Sequence, residues 1–276
     1  MTSRPYLKMI QDSVKEDAIT FDEITPDFVY RVKSEGKRPA TFLMLDTEIG
    51  LNNSASSKIA ISKSSAFNVL SKAKIKAVPH LFLKQPNSRF NTGDSYLMAG
   101  DYFRQFEKHV VIKPDNGSQG EHVYKIADER TLMDKLKYLF SLEKDVALSP
   151  YFEAYLEYRI VTLCHEPRLF LAKEKSNSWK HNLVQGAIVK EPDTSVIPLL
   201  SEMAAKASKA LGLDFCSVDI LETNDGLFVI EVNDKVMLDE YTKQVDPHRR
   251  KKVHELYRAA ILERLRRQHK LFTYIK

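Results

Sequence analysis

The chain has 276 residues, 43% hydrophobic and 29% charged, with a net charge of +5 from 42 Lys and Arg against 37 Asp and Glu. That is enough apolar material for an ordinary core in one large or two small domains. The mild positive balance does not single out nucleic acid and suits an anionic substrate equally well. Cys164 and Cys216 both sit in apolar runs, which fits two buried thiols in a reducing compartment and not a disulfide scaffold. No apolar run approaches the ~20 residues that span a bilayer, and residues 1–15 are polar without a signal core. The expectation is a soluble, cytoplasmic protein with no membrane and no nucleic-acid partner.

Residues 1–40 are polar and weakly patterned, with a strand expected at 28–32. A better strand follows at 40–45, and the composition of 50–57 reads as a loop. Ser62 is a candidate N-cap for a helix whose apolar face is Ala66, Val69, Leu70 and Ala73. A strand at 80–83, a polar loop at 85–94 and a helix marked by Tyr96, Leu97, Phe103 and Phe106 come next.

The stretch 109–126 reads as strand, tight loop, strand. The β-branched run 110–112 ends at Lys113-Pro114 and Asn116-Gly117, and alternation resumes at 122–124. A lysine at the end of a buried strand, beside a small-residue loop, suits a polyphosphate clamp. Gly117 and Gly120 carry no Cβ to keep phosphate oxygens from the loop N–H groups. An ordinary hairpin with a surface lysine fits the same residues. Neither G-x-x-x-x-G-K-[ST] nor G-x-G-x-x-G is present.

Asp128 opens a helix with the stripe Leu132, Met133, Leu136, Leu139 and Phe140. Strands are expected at 146–152, 158–164, 168–172 and 186–189, then a helix marked by Leu199, Met203, Ala207 and Leu211. Strands at 215–221 and 227–232 are joined by the hairpin signal Thr223-Asn224-Asp225-Gly226. Asp246-Pro247 starts a final helix with the stripe Val253, Leu256, Tyr257, Ala260, Ile261 and Leu265. The mixed order with hairpins favours an α+β fold with antiparallel sheets. There is no internal repeat and no low-complexity segment.

The closing hairpin carries the chemistry. Asp219 and Glu231 each interrupt an apolar strand, and buried unpaired carboxylates cost several kcal/mol apiece. Something cationic must lie between them: a lysine or arginine, or a divalent metal. Asp219, Glu231 and Asn233 offer hard oxygens, which suits Mg²⁺ or Mn²⁺ and not zinc. Glu231 and Asn233 are two apart, so both leave the same face of a strand.

Lys63, Lys113 with its small-residue loop, Glu157-Tyr158-Arg159, Asn182, and Asp219 followed by Glu231-Val232-Asn233 occur in an order and spacing that resembles the ATP-grasp superfamily. The chain is most similar to the branch holding glutathione synthetase, cyanophycin synthetase and the ligases that add glutamate to ribosomal protein. Residues 54–79 are especially similar to cyanophycin synthetase, and the resemblance covers about 55–240.

The resemblance implies two α+β lobes whose antiparallel sheets sandwich ATP, a short N-terminal region and a C-terminal helix. The implied division is 1–60 for the N-terminal region, 61–148 for the small lobe and 149–276 for the large lobe. Lys63 and Lys113 would hold phosphates with the loop at Gly117, Ser118 and Gly120. The backbone around Tyr151 would face the adenine, and Glu157 would take the ribose hydroxyls. Arg159 and Lys175 would serve the transferred phosphoryl group, Asn182 and Gly186 a phosphate and metal segment, and Asp219, Glu231 and Asn233 the Mg²⁺.

The implied activity is an ATP-dependent ligase that joins a carboxylate to an amine through an acyl phosphate, on amino acids or peptides. A kinase on the same fold and an ATP-binding regulator without turnover are the rivals. Glu157 with Arg159 also reads as a cross-strand surface pair, and Lys175 as a solvated charge. The basic run 248–252 with Arg264, Arg266 and Arg267 reads as a wet helix face, or as a docking surface for a carrier or partner protein. A homo-oligomer is expected. One departure stands out: after the metal asparagine this branch carries a small residue and then Pro-Gly, whereas Asn233 is followed by Asp234-Lys235-Val236-Met237.

Overall fold

The computed structural model describes residues 4–35, 39–117, 120–174, 187–243 and 247–274, with side chains of the last helix as far as 268. Three antiparallel sheets organise it. A meander of β1 (Ile19–Thr25), β2 (Val29–Ser34) and β3 (Ala40–Leu45) lies at the N-terminal end. A four-stranded sheet runs β4 (Leu81–Leu83), β7 (Val146–Pro150), β5 (Val110–Pro114), β6 (Tyr124–Ile126). A five-stranded sheet runs β10 (Ile188–Lys190), β9 (Glu166–Glu174), β8 (Ala154–Leu163), β11 (Phe215–Thr223), β12 (Gly226–Asn233).

The four-stranded sheet buries one face under α4 (Ser95–Gln105) and α5 (Glu129–Ser141). There Phe103, Leu132, Leu136 and Leu139 pack on Leu83, Val110, Ile112, Val146 and Leu148. Each such side chain is worth roughly 1.5–3 kcal/mol relative to exposure. Asp128 caps α5 by accepting from the Thr131 N–H, as its position in the sequence suggests. The opposite face of this sheet carries Val111, Lys113 and Ala147, because side chains alternate along a strand.

The five-stranded sheet is covered on one side by α2 (Ser54–Ile61), α3 (Lys63–Lys72) and α6 (Ile197–Leu211), with Ala66, Leu70, Leu200 and Ala204 against Ile160, Val218 and Ile220. Its other side is divided. The half nearest Val161, Leu163 and Leu171 packs on the meander, on α1 (Pro5–Asp12), on Tyr241 of the short α7 (Asp239–Lys243) and on α8 (Pro247–Tyr274), which contributes Val253, Tyr257 and Ile261. The remaining half carries charge.

The structure departs from the expected elements in three places. Residues 54–57 are not loop: they open α2, where the Asn53 side chain accepts from the Ser56 N–H at 2.9 Å and Ala60 is buried. Serine-rich composition marks a turn only until packing claims the segment. The weakly patterned N-terminus holds α1 and β1, whose Leu7, Ile10 and Ile19 join the core beneath α8. Cys164 is half-buried at the β8–β9 turn, with Arg267 Nη2 3.3 Å from its sulfur, so of the two expected buried thiols Cys216 alone is enclosed. No helix among the described residues is long and apolar enough to cross a membrane.

Candidate active site

Strand register assembles the charged face. Asp219 on β11 stands opposite Arg159 on β8 and Glu231 on β12. Glu157, two residues before Arg159, stands opposite Lys173 on β9. Asn233, two residues beyond Glu231, stands opposite Ser217. A two-residue period therefore turns Glu157, Arg159, Lys173, Asp219, Glu231 and Asn233 to one side. The β11–β12 register shifts by one residue between Asp219 and Ile220, with Ile230 as the extra residue of β12.

The two acids meet a protein cation and an amide. Arg159 donates from Nε and Nη2 to the two Asp219 oxygens at 2.8 and 2.7 Å. Lys173 pairs with Glu157 and lies 3.6 Å from Asp219 Oδ1. Asn233 Nδ2 donates to Asp219 Oδ2 at 3.3 Å and to Glu231 Oε1 at 3.2 Å. Glu231 has no ion pair among the described residues. Burial alone would raise the Asp219 carboxyl, but Arg159 and then Lys173 outweigh it and hold that carboxyl well below the usual range. At Glu157 burial wins over Lys173, and the group is pushed up. No group of three His, Cys, Asp or Glu side chains suited to a metal occurs among the described residues. The donor set here is two carboxylates and an amide, all able to present oxygen.

The facing wall belongs to the four-stranded sheet. Lys113 is 6% exposed, and its ammonium has no hydrogen-bond or ion-pair partner among the described residues. Burial first, and Lys63 second, pull it down to about 8, while Glu231, Glu157 and Asp115 act in the other direction. Lys113 thus looks across at the acids of the larger sheet. Lys63 begins α3 after the Ser62 cap. It donates to the Gly117 carbonyl oxygen at 2.8 Å and to that of Asp115 at 3.3 Å, so its ammonium braces the loop that follows β5. Asp115 locks the same corner, accepting from Ser62 Oγ at 2.6 Å and the Ser64 N–H at 2.9 Å. A Cβ on Gly117 would come within 3.3 Å of Pro114, and Gly120 has φ +72°.

Two residues of this site escaped the sequence reading. Lys173 ends the alternating run of β9 on the charged side, a signal available from its spacing to Leu169 and Leu171. His80 is buried with Nδ1 2.8 Å from the Val78 carbonyl oxygen, and its Nε2 is without a partner among the described residues. Burial, then Lys113 and Lys63, push its imidazole well below its ordinary value, so it is neutral. Ser217 Oγ is the matching unpaired atom on the larger sheet.

Other expected residues lie apart or outside. Ser118, Lys175, Asn182 and Gly186 fall outside the described residues. Tyr151 donates to Glu153 at 2.7 Å, and Lys125 Nζ lies 3.5 Å from its ring centre. It lines an open cleft of about 440 Å³ with Phe106, His109 and Asn224, and that cleft includes none of the clustered charges. Much of the basic charge of α8 is answered locally: Arg258 by Asp17, Arg267 by Asp214 and Glu263, Lys252 by Glu191.

Known proteins share parts of this sequence and its fold. A probable alpha-L-glutamate ligase of Haemophilus ducreyi is 27% identical over 219 residues, covering 77% of this chain and 67% of that protein. A tetrahydromethanopterin:alpha-L-glutamate ligase of Methanocaldococcus jannaschii is 29% identical over 136 residues. In that case the match spans about half of each chain, 47% of this one and 46% of the relative. The fold matches the crystal structure of D-alanine–D-alanine ligase from Bacillus anthracis complexed with ATP, with a TM-score of 0.59 at 16% identity, over 80% of this chain and 69% of that one. The model of the RimK-like ATP-grasp domain matches residues 60–255. That span contains Lys63, Lys113 and the whole acid face, and the chain belongs to the RimK-like ATP-grasp family.

Proposed function

We propose that this protein is an ATP-dependent ligase that joins a carboxylate to an amine through an acyl phosphate, acting on an amino acid or peptide. One observation carries the reading. Buried Glu157 and Asp219 are answered on their own sheet by Lys173 and Arg159, yet half-buried Glu231 has no ion pair among the described residues, and neither has Lys113, the buried cation of the facing sheet. Glu231 would take a share of a metal ion and Lys113 a share of the phosphates, were a metal-bound triphosphate held there.

The donor set fits Mg²⁺. The Asn233 amide nitrogen donates to both Asp219 and Glu231; turned about, that amide would set its oxygen beside the two carboxylates, and a cation bound by few carboxylates completes its shell with phosphate and water. When bound, such an ion would supply charge neutralisation for the phosphates. The chain's own groups do the rest. Lys113 meets phosphate from the small lobe, and Lys63 holds the Gly117 loop in place. Arg159, pinned through Nε and Nη2, keeps Nη1 for the transferred group. The substrate carboxylate attacks the terminal phosphorus, the bond to the β-phosphate oxygen breaks, and ADP leaves. The amine then attacks the acyl carbon, loses a proton, and displaces phosphate. Such chemistry needs positioning and charge more than a covalent residue.

The substrate side lies toward the meander. In place of the small-Pro-Gly segment, Lys235 pairs with Asp46 and the Met237 sulfur lies 3.2 Å from Thr47 Oγ1. The wall next to Asn233 is therefore built jointly with the N-terminal region. A screen of ADP release over paired carboxylates and amines tests the reading. Release that requires both partners, with free phosphate and no stable phosphoproduct, supports ligation. A stable phosphoproduct from a hydroxyl compound, or ATP binding without ADP, overturns it.

A further inference from the structure

His80 is the buried titratable group that the ligation scheme leaves unused, and a role for it at the nucleotide rests on the proposed function. Its Nδ1 lies 2.8 Å from the Val78 carbonyl oxygen, which only accepts, so Nδ1 carries the proton and Nε2 presents a lone pair. That lone pair is enclosed and unpaired among the described residues. A buried acceptor left without a donor is costly, and protonation does not relieve it, since burial and two nearby lysines suppress the charged form.

Position limits what the donor can be. His80 immediately precedes β4, whose Leu81 pairs with Leu148 and packs toward α4 and α5. By alternation His80 turns to the other side, the side of Lys113. It stands abreast of Ser149, which pairs with Val111, one residue short of Pro150 and the connection between the sheets. Lys113 lies one step along, toward Gly117. Lys113 thus lies on the loop side of this face and His80 nearer the connection between the sheets, with its ring 6.4 Å from that of Phe67 on α3.

A nucleoside triphosphate has few donors. Its phosphate oxygens and the ring nitrogens of adenine only accept. The resemblance to ATP-grasp ligases gives the ribose hydroxyls to Glu157 on the facing sheet, which leaves the 6-amino group. Guanine carries a carbonyl oxygen at that position, which would set acceptor against acceptor. We propose that His80 Nε2 accepts a hydrogen bond from the 6-amino group of the bound purine and so selects adenine over guanine.

The test is equilibrium binding of three nucleotides to the full chain with Mg²⁺: ATP, GTP and purine riboside triphosphate, which lacks the 6-amino group. The wild-type protein is expected to bind ATP about tenfold more tightly than purine riboside triphosphate, and GTP more weakly still, because a site built around one hydrogen bond discriminates against its absence. His80→Leu is expected to remove most of the tenfold ratio, while His80→Gln, which keeps an acceptor, retains it. His80→Phe replaces the leucine variant if circular dichroism shows that the latter is unfolded. Equal wild-type affinity for ATP and purine riboside triphosphate overturns the proposal, as does an unchanged ratio in the apolar variants. So does a parallel loss of affinity for both, which would mean that His80 serves Lys113. If no purine nucleotide binds the wild-type protein, the nucleotide reading itself fails, and that result is distinct from the others.

Discussion

Arg159 and Asp219 face each other on neighbouring strands and close a two-bond fork, at 2.8 and 2.7 Å, around a carboxylate whose side chain is 2% exposed. Bidentate geometry fixes both groups more firmly than a single contact. It also means that neither is free to leave: removing one partner strands the other in a buried site.

The first expected outcome concerns Asp219→Asn. The substitution keeps the shape and deletes the charge, leaving Arg159 and Lys173 with too few counter-ions. Urea denaturation should show a loss of about 3 kcal/mol. ADP release should fall at least ~100-fold, about 2.7 kcal/mol of barrier. Wild-type stability in this variant would show that the fork holds nothing together.

Lys113→Met should act in the opposite sense on stability. A buried ammonium without a partner is a burden on folding, and methionine fills similar space without charge. The variant is expected to melt at or above the wild-type temperature while ATP affinity drops ~100-fold, about 2.7 kcal/mol. A variant with lowered melting temperature and unaltered affinity would remove Lys113 from the phosphate site.

pH separates the same two effects. Lys113 falls from 10.5 to about 8 on folding, through burial and Lys63, and against Glu231, Glu157 and Asp115. Between those values the unfolded chain holds a proton that the folded chain has released, so this group's contribution to stability rises with pH across that window. Nucleotide binding needs the charged form and should weaken as pH passes about 8. Calorimetric titrations from pH 7 to 9.5 should show this decline in the wild type and a flat profile in Lys113→Met.

Glu231→Gln probes the metal side without the fork. Glu231 has no ion pair among the described residues, so stability should change by less than about 1 kcal/mol. The Mg²⁺ concentration for half-maximal ADP release should rise about tenfold. An unchanged requirement would leave Asp219 and Asn233 to hold the ion alone.

Much of the fold was legible because local signals agree with tertiary need. Ser62 and Asp128 cap the helices they precede, and Ala40–Leu45 alternates as the structure buries it. The hairpin signal at 223–226 returns as the turn between β11 and β12. The apolar stripe of the last helix is wholly buried. The N-terminal α1 was not legible, since its stripe is short and gains meaning only against a helix some 240 residues later in the chain. The site was legible in its acids, because carboxylates inside apolar strands demand an explanation. Lys173 and His80 were harder: each is one polar residue beside a strand end, and only cross-strand pairing shows which way it faces.

The misfit residue in β12 has a consequence of its own. Continued unbroken from the tip, the β11–β12 pairing would set Asp219 against Ile230, and Glu231 and Asn233 would turn into the greasy layer under α2 and α3. One surplus isoleucine inverts the odd–even order midway and brings both to the wet side. Deleting Ile230 would seat Glu231 directly after Val229 and opposite Asp219 with no bulge, so the charged face is expected to survive that deletion; the hairpin depends on which residues stand abreast and not on the surplus isoleucine itself.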